Sequence, residues 1–276
     1  MLLPQKGKIL GITCCNERLM LHCLYYKRKS PRHEQDFYVP AFMLRGSNIL
    51  GRSRKDRGKN MYSEVLGISG SPIHNSNTDR LIQHILDSTG KSAEFIKLSQ
   101  INVRPCLGCK KCVTTNRCVQ KDDFPELAEK LRHAKALVIG GYTPYGILDA
   151  FTKAFLERLW SMRHVNSLNE GKITVTVISS LREEKGQIAL DQMATVMKME
   201  RTRHIGQLQI LGNLPCLICG KGDHCKNSGG IQMVYGPDAH ASCEYIRPVE
   251  SQPVWQQGQL LGEEIGYLLE EQGAAV

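Results

Sequence analysis

The strongest constraint in this sequence is a run of four uninterrupted apolar residues, Ala136-Leu137-Val138-Ile139, set between two stretches of helical spacing. A strand with no polar side must be covered on both faces, which places it in the middle of a parallel sheet flanked by helices. The chain from residue 61 onward repeats that alternation. Residues 65–68 read as a buried strand, and the helix after them carries Leu81, Ile82, Ile85 and Leu86 on one face. Residues 93–98 read as a second strand. The next helix opens at Asp123, with Glu126 as its capping-box partner, and buries Leu127 and Leu131. A helix over about 148–162 puts Phe151, Phe155, Leu159 and Met162 on one side. Residues 173–178 form a fourth strand, a helix over about 187–203 carries Met193, Met197 and Met199 as core filler, and Ile205, Leu208, Ile210 and Leu211 mark a fifth strand. Leu261, Ile265 and Leu268 mark a last helix.

Five strands with intervening helices specify an α/β domain, a doubly wound five-stranded parallel sheet with helices on both faces. In a flavodoxin-like strand order, 2-1-3-4-5, right-handed crossovers deliver every loop that follows a strand to one carboxyl edge, and ligands bind at the switch point between strands one and three. The phosphate-type loop after strand one and the cysteine loops after strands two and five are therefore expected on a shared rim.

Charge divides the chain differently. Residues 1–60 hold 13 basic and 4 acidic side chains, whereas residues 61–276 hold 23 of each. The excess belongs to a basic N-terminal extension without sustained periodicity, read as poorly ordered, and an abrupt change at Met61 raises the idea that the natural start lies there. Residues 61–276 form the binding domain, with cysteine-rich insertions at 105–121 and 215–243. Their neutral balance argues against a nucleic-acid partner. No apolar run approaches the roughly 20 residues needed to span a bilayer, and the first residues lack a secretory pattern. Eleven cysteines without such a signal point to the cytoplasm and to metal or redox chemistry, not to structural disulfides.

Three loops carry that chemistry. After strand one, Gly70-Ser71-Pro72-Ile73-His74-Asn75-Ser76-Asn77-Thr78 lacks both the Gly-Lys-Ser/Thr ending of a triphosphate loop and the third glycine of a dinucleotide fingerprint. Small residues, hydroxyls and amides at a helix N-terminus suit a terminal phosphate monoester such as that of flavin mononucleotide (FMN); the same residues also suit a turn that merely caps the helix. After strand two, Cys106, Cys109, Cys112 and Cys118 follow C-x2-C-x2-C-x5-C. Three thiolates at successive x2 intervals and a fourth nearby favour a [4Fe–4S] cluster over zinc, which more often takes two separated pairs. After strand five, Cys216, Cys219 and Cys225 stand as candidates for a second metal site completed by His224 or Cys243, and equally as reduced buried cysteines. Strand three ends in Thr143-Pro144-Tyr145-Gly146, a turn able to lay backbone amides and an aromatic beside a flat ring or simply to make a rigid connection.

Taken together, these residues resemble the iron–sulfur flavoprotein branch of the NADPH-dependent FMN reductase-like, flavodoxin-fold superfamily, over about residues 63–270. The resemblance rests on Gly70-Ser71-Pro72 with Asn75-Ser76-Asn77-Thr78, on the four cysteines followed by Asp122-Asp123, and on Thr143 to Gly146 with Lys153 to Arg158. It implies that Ser71, Asn75, Asn77 and Thr78, with Ser76 in the same loop, hold the FMN phosphate. It also implies that Pro144, Tyr145 and Gly146 approach the isoalloxazine and that Cys106, Cys109, Cys112 and Cys118 ligate the cluster. Ile73 stands where the family often has arginine, implying a weaker hold on phosphate. No side chain is required for proton abstraction. The implied function is electron movement between flavin and one-electron partners, with a small-molecule or protein donor and acceptor, and a homo-oligomer, dimer or tetramer, in which one subunit's cluster can face another's flavin. Use of NAD(P)H as donor is left open. Two other readings compete: an NAD(P)H-dependent FMN or quinone-type reductase with structural or zinc-binding cysteines, and a metal-stabilised binding module whose basic tail contacts nucleic acid.

Overall fold

The computed structural model describes residues 62–217, 219, 224–225 and 229–274. The extension expected over residues 1–60, and the start at Met61, lie outside them. Strands β1 (Val65–Ser69), β2 (Ala93–Lys97), β3 (Ala136–Tyr142), β4 (Ile173–Ser180) and β5 (Arg203–Leu211) are all parallel and stand in the order β2-β1-β3-β4-β5. That is the flavodoxin-like order. The helices are α1 (Asn77–Ser88), α2 (Phe124–His133), α3 (Ala150–Leu159), α4 (Glu183–Met199), the short α5 (Gly230–Tyr235) and α6 (Pro253–Ala274).

Alternation along each strand divides the interior in two. Leu66, Ile68, Leu137 and Ile139 pack with Phe124, Leu131, Phe155, Leu159 and Met193 from α2, α3 and α4. Their sequence neighbours Val65 and Val138 pack on the opposite side with Leu81, Ile85, Ile265 and Leu269 from α1 and α6. Successive side chains on a strand point to opposite faces, so an apolar run such as 136–139 feeds both cores.

Several local expectations shift. Phe151 is exposed, unlike Phe155, Leu159 and Met162, because the first turn of α3 lies where the sheet ends. Met193 and Met197 fill the core but Met199, in the last turn of α4, is exposed. That helix begins at Glu183, earlier than its apolar spacing suggests. Asp123 makes no capping bond to α2; its carboxylate accepts the Asn102 N–H at 2.6 Å. The capping box belongs to α1 instead, where Ser76 and Asp79 each accept the other's backbone N–H.

Residues Leu214–Ile246 belong to a separate compact unit from the sheet domain. They include the turn Pro215–Leu217, α5 and a stacked Tyr235–Tyr245 pair with ring centroids 4.0 Å apart. Among the described residues no helix is long and apolar enough to cross a membrane.

Helices α1 and α6 approach each other through glycine. A Cβ on Gly262 would stand 2.5 Å from the Ile85 carbonyl oxygen, a backbone atom that cannot swing aside. Gly262→Leu is therefore expected to lower stability by about 3 kcal/mol or more, at the upper end of overpacking costs, read as a fall in the urea midpoint. Gly273→Ala, at a position in the same helix with open space around it, should leave the midpoint within about 0.5 kcal/mol.

Candidate functional site

The loop after β1 is held by a buried acid. Asp79, in the first turn of α1, accepts from the Ser69 hydroxyl at 2.6 Å, from the Ser76 N–H at 3.2 Å and from Lys97 Nζ at 2.5 Å. Both charged side chains are nearly inaccessible, and Lys97 also donates to the Ile73 carbonyl at 2.7 Å. The ion pair cancels a negative charge that would otherwise oppose an anion at this helix N-terminus. Backbone N–H groups of Ile73, His74, Asn75, Asn77 and Thr78 have no acceptor among the described residues, which leaves a set of donors suited to phosphate oxygens.

The sequence-predicted phosphate residues sit in different states around that cradle. Ser71 and Thr78 are buried, and Asn75 is exposed with a left-handed backbone, φ 50°. Ser76 is the N-cap: its oxygen accepts the Asp79 N–H at 3.1 Å, so its own O–H is still available as a donor. Asn77 is committed elsewhere, donating to the Arg247 carbonyl at 2.8 Å and accepting from Arg80 at 2.6 Å. It braces the loop.

The turn after β3 faces the same edge. Asp149, wholly buried, caps α3 by accepting the Thr152 N–H at 2.8 Å and also takes the Tyr142 N–H at 3.1 Å. Burial pushes its carboxyl above the usual range, against the lowering effect of those N–H donors. Gly70 makes this packing possible, since a Cβ there would fall 2.0 Å from Thr152 Oγ1 and 2.8 Å from Asp149 Oδ1. Pro144, Tyr145 and Gly146 form a single 3-10 turn. Tyr145 has φ 54° and a fully exposed ring. A bulky residue in that backbone region is strained, and here the strain presents an aromatic at the switch-point edge.

The four cysteines after β2 come together. Cys106, Cys109, Cys112 and Cys118 line one cavity with Arg158 and Trp160. Helix α3 runs antiparallel to the strands, so its last turn is about 13 Å from its capped first turn at 1.5 Å per residue, and it is that last turn which meets the cysteines. Side-chain anchors draw the loop down there. Arg158 donates to the Arg104 carbonyl at 2.9 Å, to both Asp122 oxygens at 2.5 and 3.0 Å, and to Cys118 Sγ at 3.3 Å. Asn116, buried and at φ 52°, accepts from the His164 and Val165 N–H groups and donates to the Asn166 carbonyl.

The local chemistry suits a sulfur-ligated inorganic group. Burial raises the Cys112 thiol above its ordinary value and the neighbouring cysteines add to that rise, against the lowering effect of a backbone hydrogen bond. Arg158 Nε is a buried donor with no acceptor, and the Gly108 N–H already points to Cys106 Sγ at 3.4 Å. Among the described residues no three His, Cys, Asp or Glu side chains are gathered tightly enough for a single metal ion. Cys216, Cys219 and Cys225 belong to the other compact unit, Leu214–Ile246. A zinc ion draws its sulfurs to about 2.3 Å from one point, whereas a polynuclear cluster takes thiolates on separate irons around a wider cage.

The model of the NADPH-dependent FMN reductase family matches residues 63–213, the span that contains both loops and the whole sheet. The chain belongs to that family. Among curated proteins, an iron-sulfur flavoprotein of Methanocaldococcus jannaschii is 32% identical over 103 residues, covering 36% of this chain and 53% of that protein. An iron-sulfur flavoprotein of Methanosarcina thermophila is 26% identical over 153 residues, covering 54% and 78%. The chain thus spans little more than half the length of the first of these relatives. Among solved structures, a flavone reductase superposes with a TM-score of 0.48 at 12% identity, over 77% of this chain and 65% of that one.

Asp79, Lys97, Asp149 and Asn116 escaped the sequence reading. Ser76-x-x-Asp79 is a capping-box spacing and was there to be found; the Lys97 and Asn116 contacts join segments far apart in the chain and left no local signal. Lys97→Met, which strands Asp79 as a buried unpaired charge, is expected to destabilise the fold by about 3–5 kcal/mol, measured by chemical denaturation. Asp122 supplies a pH test. Burial pushes its carboxyl up, but the Arg158 side chain and the Arg104 N–H outweigh this and leave it below the usual range. Its stabilising contribution is present above the unfolded-state value and is lost as pH falls through the lower folded-state value. Asp122→Asn should therefore flatten the acid limb of a stability-against-pH curve measured below pH 4.

Proposed function

We propose that this chain is an FMN-dependent redox protein that carries an iron–sulfur cluster, of the [4Fe–4S] type, on Cys106, Cys109, Cys112 and Cys118. The observation that carries the reading is the convergence of those four thiols on one cavity beside a buried arginine with an unsatisfied donor. Family membership and the names of the iron-sulfur flavoprotein relatives support it. When bound, FMN supplies one- and two-electron chemistry and the cluster supplies one-electron steps.

The protein's own part is binding and positioning. The unpaired N–H groups after β1, the Ser76 hydroxyl and the buried Ser71 and Thr78 hydroxyls hold the phosphate. Asp79 and Lys97 keep that cradle in shape. The Pro144–Gly146 turn sets Tyr145 against the ring system, and Asp149 fixes the turn to the end of α3. Arg158 and Asn116 keep the cysteine loop against the far end of the same helix. Electron partners are small molecules or proteins able to reach the exposed Cys106 and Cys109. The family resemblance implies transfer between copies of the chain in a homo-oligomer.

Iron, acid-labile sulfide and flavin assayed on one anaerobically purified sample test the reading; a folded protein free of both cofactors would sink it. Cys109→Ala should bring iron close to background while FMN stays stoichiometric. Thr78→Val should weaken FMN about tenfold or more, the loss expected of one hydrogen bond to a charged group, with iron unchanged. Equal loss of both groups in either variant would contradict two separately anchored loops.

A further inference from the structure

Arg158 donates to a cysteine sulfur, Cys118 Sγ, at 3.3 Å, and its surroundings are unusual for a charge. It is 1% exposed, lies over the Phe124 ring at 4.5 Å from guanidinium carbon to centroid, and sits in the last turn of α3. Its fork grips both oxygens of Asp122, whose side chain is wholly inaccessible. The same Nη2 that holds Asp122 also donates to Cys118 Sγ. By contrast Lys110 and Lys111, between the cysteines in sequence, are exposed to solvent.

Those positions differ in electrostatic weight. Charges in water are screened by salt and solvent, while a desolvated charge in contact with a ligand atom is screened much less. The potential of an iron–sulfur group responds to net charge, hydrogen bonds to sulfur and solvent access, and Arg158 supplies the first two from a site that excludes the third. A fixed positive charge favours whichever form of the group is more negative, which is the reduced form. Asp122 works against it with the opposite sign while fixing its orientation. Lysine has no equivalent geometry, because an ammonium cannot grip a carboxylate in two places and reach a sulfur with the same rigid plane.

We propose that Arg158 is a positioning residue that sets the reduction potential of the group held by the four cysteines, raising it through the hydrogen bond to Cys118, and that Asp122 tempers this effect. This rests on the cluster reading given above. It assigns a task to the Arg158–Asp122 pair beyond holding the loop, and it predicts displacements of opposite sign for the two partners, which a merely structural clasp would not produce.

The test is a spectroscopically followed redox titration of the cluster in the anaerobically purified full chain, with iron per chain measured on the same samples. Arg158→Met should lower the midpoint potential, Asp122→Asn should raise it, and Lys110→Met should move it less than Arg158→Met does. An iron-loaded Arg158→Met protein with the wild-type midpoint would overturn the proposal, as would displacements of the same sign in the two inner variants. Should Arg158→Met fail to retain iron, Asp122→Asn and Arg158→Lys decide instead: a raised midpoint in the first with a lowered one in the second supports the assignment, and any other pair rejects it. An iron-free wild type would remove the cluster reading and this assignment together. An iron-loaded wild type with unmoved variants removes the assignment alone.

Discussion

A carboxylate taken out of water must find partners, and three such carboxylates organise this molecule. Asp79 stands in the first turn of α1, Asp122 just ahead of α2 and Asp149 at the N-cap of α3. Each is buried at a helix start, where backbone N–H groups lack intrahelical acceptors. Each also ties down a loop that has no regular structure of its own: Asp79 through Lys97, Asp122 through Arg158, and Asp149 through the Tyr142 N–H. The apolar runs build the sheet, and these acids give the chemistry-bearing loops fixed hydrogen-bond partners.

Helix α3 relates the two halves of the site. Its capped start belongs to the switch-point edge, and its end carries Arg158 against the cysteines. A crossover helix in a parallel sheet runs back against the strands, so its two ends can serve two different loops. Topology placed the start of the cysteine loop correctly, at the edge after β2. The hydrogen bonds of Arg158 and Asn116 then determined where its thiols came to rest.

What the sequence made legible follows from how local each cause is. The strands were readable because a period of two, or an unbroken apolar run, survives in any short window; 65–68, 136–139 and 173–178 all fall inside observed strands. The cysteine set was readable because its ligand spacing is short. Phe151 was misplaced because helical spacing says which side a residue is on and nothing about where the sheet beneath it ends. Asp123 was misread because its neighbour Asp122 takes the Phe124 N–H, freeing Asp123 for Asn102. Lys97, 18 positions from Asp79, illustrates the general limit: a pairing across strands has no period to betray it.

The near-contact of Gly262 with the Ile85 carbonyl has a bearing on recognition. With backbone against backbone, α1 has little freedom to tilt or slide relative to α6, and its opening amides are therefore immobilised when the chain folds. On the proposed reading, a phosphate arriving at that end would meet donors already aligned, with little motional freedom left to surrender on association. Selectivity at one tip of a helix is thus underwritten by the absence of side chains near the other.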